Sequence, residues 1–221
     1  VYPEALTIHA VRDNDGEVSE HVAIFSDISE RKRQEMRMRW RAEHDALTGL
    51  PNRATFEELL AHSLSLSRQR GGLLGLLFSD LDGFKEINDN HGHGVGDEAL
   101  RQVAARLQTA VRESDLVARL GGDEFTVILN PLRCAADAEM VAGKLLQAIG
   151  QPCRLGAASA FLGASIGVAF PRDDGESVAE LVRRADQAMY RAKAAGRNGV
   201  VVDLSDHVAN KTPPPMSAAG E

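Results

Sequence analysis

The chain has 221 residues, a formal charge of −7 at neutral pH, 43% hydrophobic residues and 26% charged residues. These totals fit an ordinary globular protein, long enough for one well-buried domain plus an extra segment. The acidity argues against a nucleic-acid surface, which needs clustered positive charge. No apolar run approaches the roughly 20 residues that span a bilayer, and no signal peptide is visible. The start at Val1-Tyr2 reads as that of an excised piece, which leaves upstream membrane attachment open. Cys134 and Cys153 are the only cysteines and lack metal-ligand spacing, as expected in a reducing cytoplasm.

Residues 5–26 read as a β-hairpin. Leu6, Ile8 and Ala10 alternate, Asn14-Asp15-Gly16 makes the turn and Val22-Ala23-Ile24-Phe25 returns. Asp27-Ile28-Ser29-Glu30 offers a capping box for a charged helix from Ile28 to Ala46. The basic run Arg31-Lys32-Arg33 is flanked by acids and reads as a solvated face of that helix. Its apolar positions fit a heptad poorly. A second unit starts at Asp45, where Asn52 or Thr55 can cap a helix through Gln69 that Gly71-Gly72 ends. Leu73 to Phe78 is a near-continuous apolar run, the pattern of a central strand buried on both faces, and it stops at Ser79-Asp80-Leu81-Asp82. The stretch DLDGFKEINDNHGHGVGD from Asp80 to Asp97 is polar and glycine-rich, yet it closely follows a core strand. Ala99, Val103, Leu107 and Val111 mark a helix ending near Ser114. A hairpin follows, its tip Gly121-Gly122 set between Leu116-Val117-Ala118 and Phe125 to Leu129. Then come a helix over 135–149, a strand over 161–170, a helix over 177–194 and a last strand at Val200-Val201-Val202. Residues 206–221 read as a disordered tail. The alternation of helices with mostly apolar strands predicts an α/β sandwich with a sheet at its core.

Chemistry concentrates at two acidic points. Asp80 ends the most buried strand, and Asp123 and Glu124 follow the paired glycines of the hairpin. If the two strands are neighbours, three carboxylates converge on one rim. Like charges so placed call for cations, and two divalent ions are the usual arrangement at phosphoryl-transfer sites. The alternative use of Asp80 is to cap a following helical turn. Lys85 can neutralise a phosphate or lie on the surface. Asn88 and Asp97 suit a purine edge: a carboxylate accepts two parallel N–H bonds from guanine, and adenine lacks that donor pair. His93 is either a ligand contact or a packing residue. Lys193 and Arg197 lie i, i+4 at a helix end, able to hold terminal phosphates or to complement the helix dipole.

These residues resemble the GGDEF-domain diguanylate cyclases over residues 45–203. The resemblance rests on D-x-L-T-G-L-x-N-R at Asp45 to Arg53, DLDGFKEIND at 80–89 and GHGVGDEAL at 92–100. It extends to R-L-G-G-D-E-F at 119–125, S-I-G-V-A at 165–169 and A-D-x-A-M-Y-x-A-K-x-x-G-R-N ending at Asn198. Residues 1–29 resemble the C-terminal edge of a PAS sensor domain. The first resemblance implies a palm-like fold, nucleotidyl-cyclase-like, with a central mainly antiparallel sheet flanked by helices. It also implies condensation of two GTP into cyclic di-GMP and two pyrophosphates. Position by position, Asp80, Asp123 and Glu124 would hold Mg²⁺ or Mn²⁺, with the Leu81 carbonyl as a further ligand. Asp123 would be the candidate proton acceptor. Asn88 and Asp97 would read guanine beside His93, and Lys85, Lys193 and Arg197 would hold phosphates.

One GTP per domain implies a homodimer, whose geometry the linker helix would set. Arg112-Glu113-Ser114-Asp115 supplies an R-x-x-D sequence with five residues between Asp115 and Gly121, the family's spacing for a product-inhibition site. An ordinary i, i+3 salt bridge is the other use of that pair. Against the cyclase stand a silent GTP or cyclic di-GMP receptor and a purely structural dimerising unit. The intact Gly-Gly-Asp-Glu-Phe run favours the enzyme over the receptor, and the guanine pair argues against the structural unit.

Overall fold

The computed structural model describes residues 4–12, 18–155, 158–172 and 175–204. The chain divides into two compact units, one up to His44 and one from Asp45. In the first, β1 (Glu4–Arg12) and β2 (Val18–Asp27) pair antiparallel, with Leu6 opposite Phe25 and Ile8 opposite Ala23. The predicted Asn14-Asp15-Gly16 turn lies outside the described residues, as does the predicted tail at 206–221. The helix α1 (Ser29–Glu43) buries no residue and carries ion pairs on its surface, among them Glu30 with Arg33 and Arg37. The expected capping box does not form. Ile28 is the N-cap, and the Asp27 carboxylate instead accepts the Ser29 N–H at 2.8 Å. The helix also ends short of Ala46, because Asp45 turns the chain: its carboxylate accepts the N–H and hydroxyl of Thr48 at 2.9 and 2.6 Å.

The second unit runs α2 (Arg53–Arg70), β3 (Leu73–Asp82), α3 (Phe84–His91), α4 (His93–Ala110), β4 (Leu116–Gly121), β5 (Glu124–Leu132) and α5 (Ala135–Ile149). It continues with β6 (Cys153–Leu155), β7 (Ala158–Ala160), β8 (Gly163–Ala169), α6 (Val178–Ala194) and β9 (Gly199–Asp203). The main sheet has the order β4-β5-β3-β8-β9, antiparallel except for the parallel β8–β9 pair. This is the expected α/β class with a mainly antiparallel central sheet. Among the described residues no helix is long and apolar enough to cross a membrane.

β3 is central because its side chains alternate between two apolar layers. Leu77 and Leu81 join the core formed with α4 and α5, while Leu74, Leu76 and Phe78 join Phe56, Leu60, Leu181 and Ala185 on the α2 and α6 side. The same alternation places Asp80 and Asp82 on the α6 side. α6 lies close against the sheet: a Cβ at Gly167 would stand 2.1 Å from the Ala185 carbonyl oxygen, so only glycine admits this approach. At its start Ser177 and Glu180 form a reciprocal capping box, worth about 1 kcal/mol. Buried Arg184 pairs with Glu176 and Asp203 at 2.8 and 2.9 Å and donates to the Phe170 carbonyl, tying α6 to β9. Such a network fixes position more than it adds stability.

A helix, α3, forms within the polar stretch after Asp82, because Phe84 and Ile87 bury one face of it. Gly92, at φ 81°, separates it from α4. α4 stops at Ala110 rather than near Ser114, where Asp115 closes a turn by accepting the Arg112 N–H at 3.1 Å. The strand predicted over 161–170 is the shorter β8, and the small β6–β7 hairpin precedes it.

Candidate active site

β3 and β5 are neighbours, and their register sets Asp80 opposite Glu124 on one side and Ser165 of β8 on the other. Glu124 has the same parity as Ile128, which belongs to the α2 and α6 layer, so both carboxylates leave the sheet toward α6. Gly122 and Asp123 form the turn joining β4 to β5, entered through Gly121 at the end of β4; the two glycines have φ of 139° and 54°, values that a β-carbon strongly disfavours. It is held from beneath. Arg119, nearly buried, donates from Nε and Nη2 to the Gly122 carbonyl at 3.0 and 2.7 Å and from Nη1 to Asp45 at 2.8 Å. On the β3 side the Leu81 N–H donates to the Asp123 carbonyl at 3.3 Å, and the Ser79 hydroxyl to the Phe125 carbonyl at 3.1 Å. The acidic tip is therefore fixed to the edge of β3.

Cations face these acids. Lys193 Nζ stands 2.7 Å from Asp80 Oδ1, and Arg53 Nη2 lies 3.2 Å from Glu124 Oε2. Burial pushes the Asp80 carboxyl above its ordinary value; Lys193 opposes the shift, and the charges of Asp123 and Asp82 add to it. Glu124 is likewise raised, first by burial, against the pull of Arg53 and with the charges of Asp80, Asp186 and Asp123. Asp45 shifts the other way, because hydrogen bonds from Thr48 and Arg119 outweigh the effect of its burial. Glu124 and Asp186 also border a groove of about 630 Å³ between α2 and α6, floored by Phe78 and lined by Arg53 and Arg183.

The predicted residues fall into three groups. Asp80 and Glu124 lie opposite each other at the rim, Lys193 reaches Asp80, Asp123 is near enough for its charge to act on both carboxyls, and Arg197 lies 3.9 Å from Asp82. Asn88 is half-buried on α3 and turns toward α4 at Gly96, since a Cβ there would stand 2.0 Å from Asn88 Oδ1, and half-buried Asp97 is the next residue of α4. Lys85 and His93 are exposed at the starts of α3 and α4. Arg112 and Asp115 are not brought to the rim: they precede β4, whose 6 residues run to the turn. The Arg112–Asp115 link is a backbone turn in which the Asp115 carboxylate accepts the Arg112 N–H.

Hard carboxylate oxygens suit Mg²⁺ or Mn²⁺. Among the described residues no group of three or more His, Cys, Asp or Glu side chains is gathered to hold a metal ion. The donor set fits one nonetheless, because a cation, the Lys193 ammonium, already stands at the partly buried Asp80 carboxylate. Sequence reasoning assigned no role to Asp82, Arg53, Arg119 or Asp45. The i, i+2 spacing of Asp80 and Asp82 on a strand is the signal that could have found Asp82.

The family model described as the diguanylate cyclase GGDEF domain matches residues 42–199. The chain is 45% identical over 157 residues to the diguanylate cyclase TpbB of Pseudomonas aeruginosa, covering 71% of this chain and 36% of that protein. It is 40% identical over 161 residues to the cyclic di-GMP phosphodiesterase NbdA of the same organism, covering 73% of this chain and 20% of that one. The match thus spans about a third or less of these relatives. Among solved structures, the coiled coil and GGDEF domain of DgcB from Caulobacter crescentus, in complex with cyclic di-GMP, superposes with a TM-score of 0.72. The two are 30% identical, over 79% of this chain and 93% of that one.

Proposed function

The chain belongs to the GGDEF-domain family of diguanylate cyclases, and we propose that it condenses two GTP into cyclic di-GMP with release of two pyrophosphates. The observation that carries this reading is the rim itself: Asp80 and Glu124 opposite each other on adjacent strands, Asp123 on the glycine turn, and Lys193 reaching in from α6.

In each half-reaction a GTP 3′-oxygen attacks the α-phosphorus of the other GTP. The bond from that phosphorus to the bridging oxygen breaks, pyrophosphate leaves, and the hydroxyl gives up its proton. Repeating the step in the opposite sense closes the ring. Asp80, Asp123, Glu124 and the Leu81 carbonyl would hold Mg²⁺ or Mn²⁺. When bound, such an ion neutralises phosphate charge and lowers the pKa of the attacking hydroxyl. Asp123 is the candidate acceptor of that proton. Asn88 and Asp97, together on the α3–α4 pair, select guanine, with His93 at the start of α4 beside the nucleotide. Lys85, Lys193 and Arg197 take the phosphates, which requires Lys193 to leave Asp80 as the nucleotide arrives. Holding both reactants in line supplies much of the rate.

A domain with one such rim needs a second, so the working unit is a homodimer. Residues 45–205 are the catalytic domain, 28–44 the linker helix and 1–27 the edge of a PAS-like sensor domain, whose signal would alter how often two rims meet. Arg112 and Asp115 form the product-inhibition site. The substrate places the domain in the cytoplasm. The similarity to a protein named a phosphodiesterase favours a second reading, a silent domain that binds GTP or cyclic di-GMP.

The test is incubation with GTP and Mg²⁺ at high protein concentration, with cyclic di-GMP quantified beside an Asp123→Ala control. The expected result is product from the parent chain and at least about a hundredfold less from the variant. Tight GTP binding by a dimer that makes no product would establish the receptor instead.

A further inference from the structure

Beyond the residues assigned above, the geometry points to Asp82 as a positioning residue that sets the phosphate grip by anchoring the turn after α6. The inference rests on the proposed use of Lys193 and Arg197 toward GTP.

The turn is an unusual one. α6 ends in two backbone bonds, Arg197 N–H to the Ala192 carbonyl at 3.1 Å and Gly196 N–H to the Lys193 carbonyl at 3.3 Å. This is the double closure of a Schellman motif. Gly196 has φ 119°, and the chain then takes left-handed conformations at two successive non-glycine residues, Arg197 at 63° and Asn198 at 44°. Such residues persist only when their surroundings over-determine them. Asp82 supplies the constraint from the sheet. Its carboxylate is largely buried; it accepts the Asn198 N–H at 2.9 Å and lies 3.9 Å from Arg197 Nε. Its own orientation is fixed by buried Ser165, whose hydroxyl lies 3.0 and 3.1 Å from its two oxygens. Gly163, opposite Asp82 in the register, leaves the room: a Cβ there would stand 3.3 Å from Asn198 Oδ1 and 3.4 Å from the Asp82 Cβ.

Asp82 thus performs a different task from Asp80, two residues earlier on the same face. Asp80 meets the Lys193 ammonium directly. Asp82 binds the backbone beyond Lys193 and fixes where Arg197 departs from the chain. Without it the closure of α6 and the pairing of Gly199 with Ser165 would remain, but the Asn198 N–H would lose its acceptor and Arg197 its carboxylate neighbour on the sheet.

Two variants of the full chain test this. Asp82→Ala removes every contact. Asp82→Asn keeps an oxygen for the Asn198 N–H and an amide that can donate to Ser165, while losing the charge. Hydrogen exchange at residues 196–199 is expected to accelerate at least about tenfold in Asp82→Ala and to stay near parental in Asp82→Asn. KM for GTP is expected to rise about tenfold in Asp82→Ala with kcat within about threefold, and Asp82→Asn to recover most of the loss. Unchanged exchange or unchanged KM in Asp82→Ala overturns the inference. So does an Asp82→Asn chain that loses kcat as completely as Asp82→Ala, which would make Asp82 a group acting on the reacting atoms. If the parent binds GTP without turnover, calorimetric GTP affinity replaces KM; the cyclase then fails while the contrast between the variants still decides. A parent that binds no GTP overturns both readings.

Discussion

Asp80 and Glu124 hold their protons more tightly than ordinary carboxyl groups, chiefly because burial disfavours their charged forms. The folded chain therefore binds more protons at these positions than the unfolded chain does. Their contribution to stability is present at low pH and is lost as pH rises through the raised values. A divalent cation would replace those protons. Added Mn²⁺ is thus expected to raise the melting temperature at pH 7.5, with a gain that shrinks as acidification protonates these carboxyl groups. Lys193→Met removes the competing ammonium and is expected to enlarge the neutral-pH gain. Thermal melts across a pH and Mn²⁺ series check this. A gain that persists unchanged below 4.5, the ordinary value for Glu, would show that Mn²⁺ binds elsewhere.

At the scale of elements, the proposed guanine site falls on the α3–α4 pair, where Gly96 closely approaches Asn88. A methyl group at 96 would stand 2.0 Å from Asn88 Oδ1 and 3.3 Å from a ring carbon of Phe84, so the amide must swing aside. The obstacle is the far end of a flexible side chain, and the fold should tolerate the change within about 1–3 kcal/mol. Gly96→Ala is expected to weaken GTP binding about tenfold and to narrow its preference over ATP, read by calorimetry with both nucleotides. Unaltered GTP affinity would remove Asn88 from the guanine site. This pair was only half legible in the sequence. The chemistry of Asn88 and Asp97 suggested a purine edge, but a stretch with four glycines and many polar residues carries almost no helical periodicity. The burial of Phe84 and Ile87 overrides that composition, and only tertiary packing can supply it. The buried strand β3 and the glycine turn were plain, because a continuous apolar run and paired glycines each have few structural uses. The capping box before α1 failed for the opposite reason: the spacing was right, but Asp27 bonds locally to Ser29. Likewise, Arg119 reaches back 74 residues to Asp45, a pairing that no local pattern announces.

For the molecule as a whole, the proposed reaction makes one acidic rim half of a reaction centre. Arg112 lies before β4 and the rim beyond its end, and 6 strand residues separate the two by about 20 Å. Cyclic di-GMP held at exposed Arg112 therefore cannot touch the reacting atoms of its own domain. In the proposed dimer it would inhibit by fixing how domains meet. Inhibition should then be non-competitive with GTP, and its removal should leave synthesis intact. Arg112→Ala is expected to keep its initial rate within about threefold of the parent, while its progress curve stays linear where the parent's flattens as product accumulates. Progress curves at several GTP concentrations, with and without added cyclic di-GMP, distinguish the cases. A plateau that survives Arg112→Ala would mean that product competes at the rim. A plateau that moves with GTP concentration in the parent would point the same way, because only a ligand sharing the substrate's place can be displaced by it.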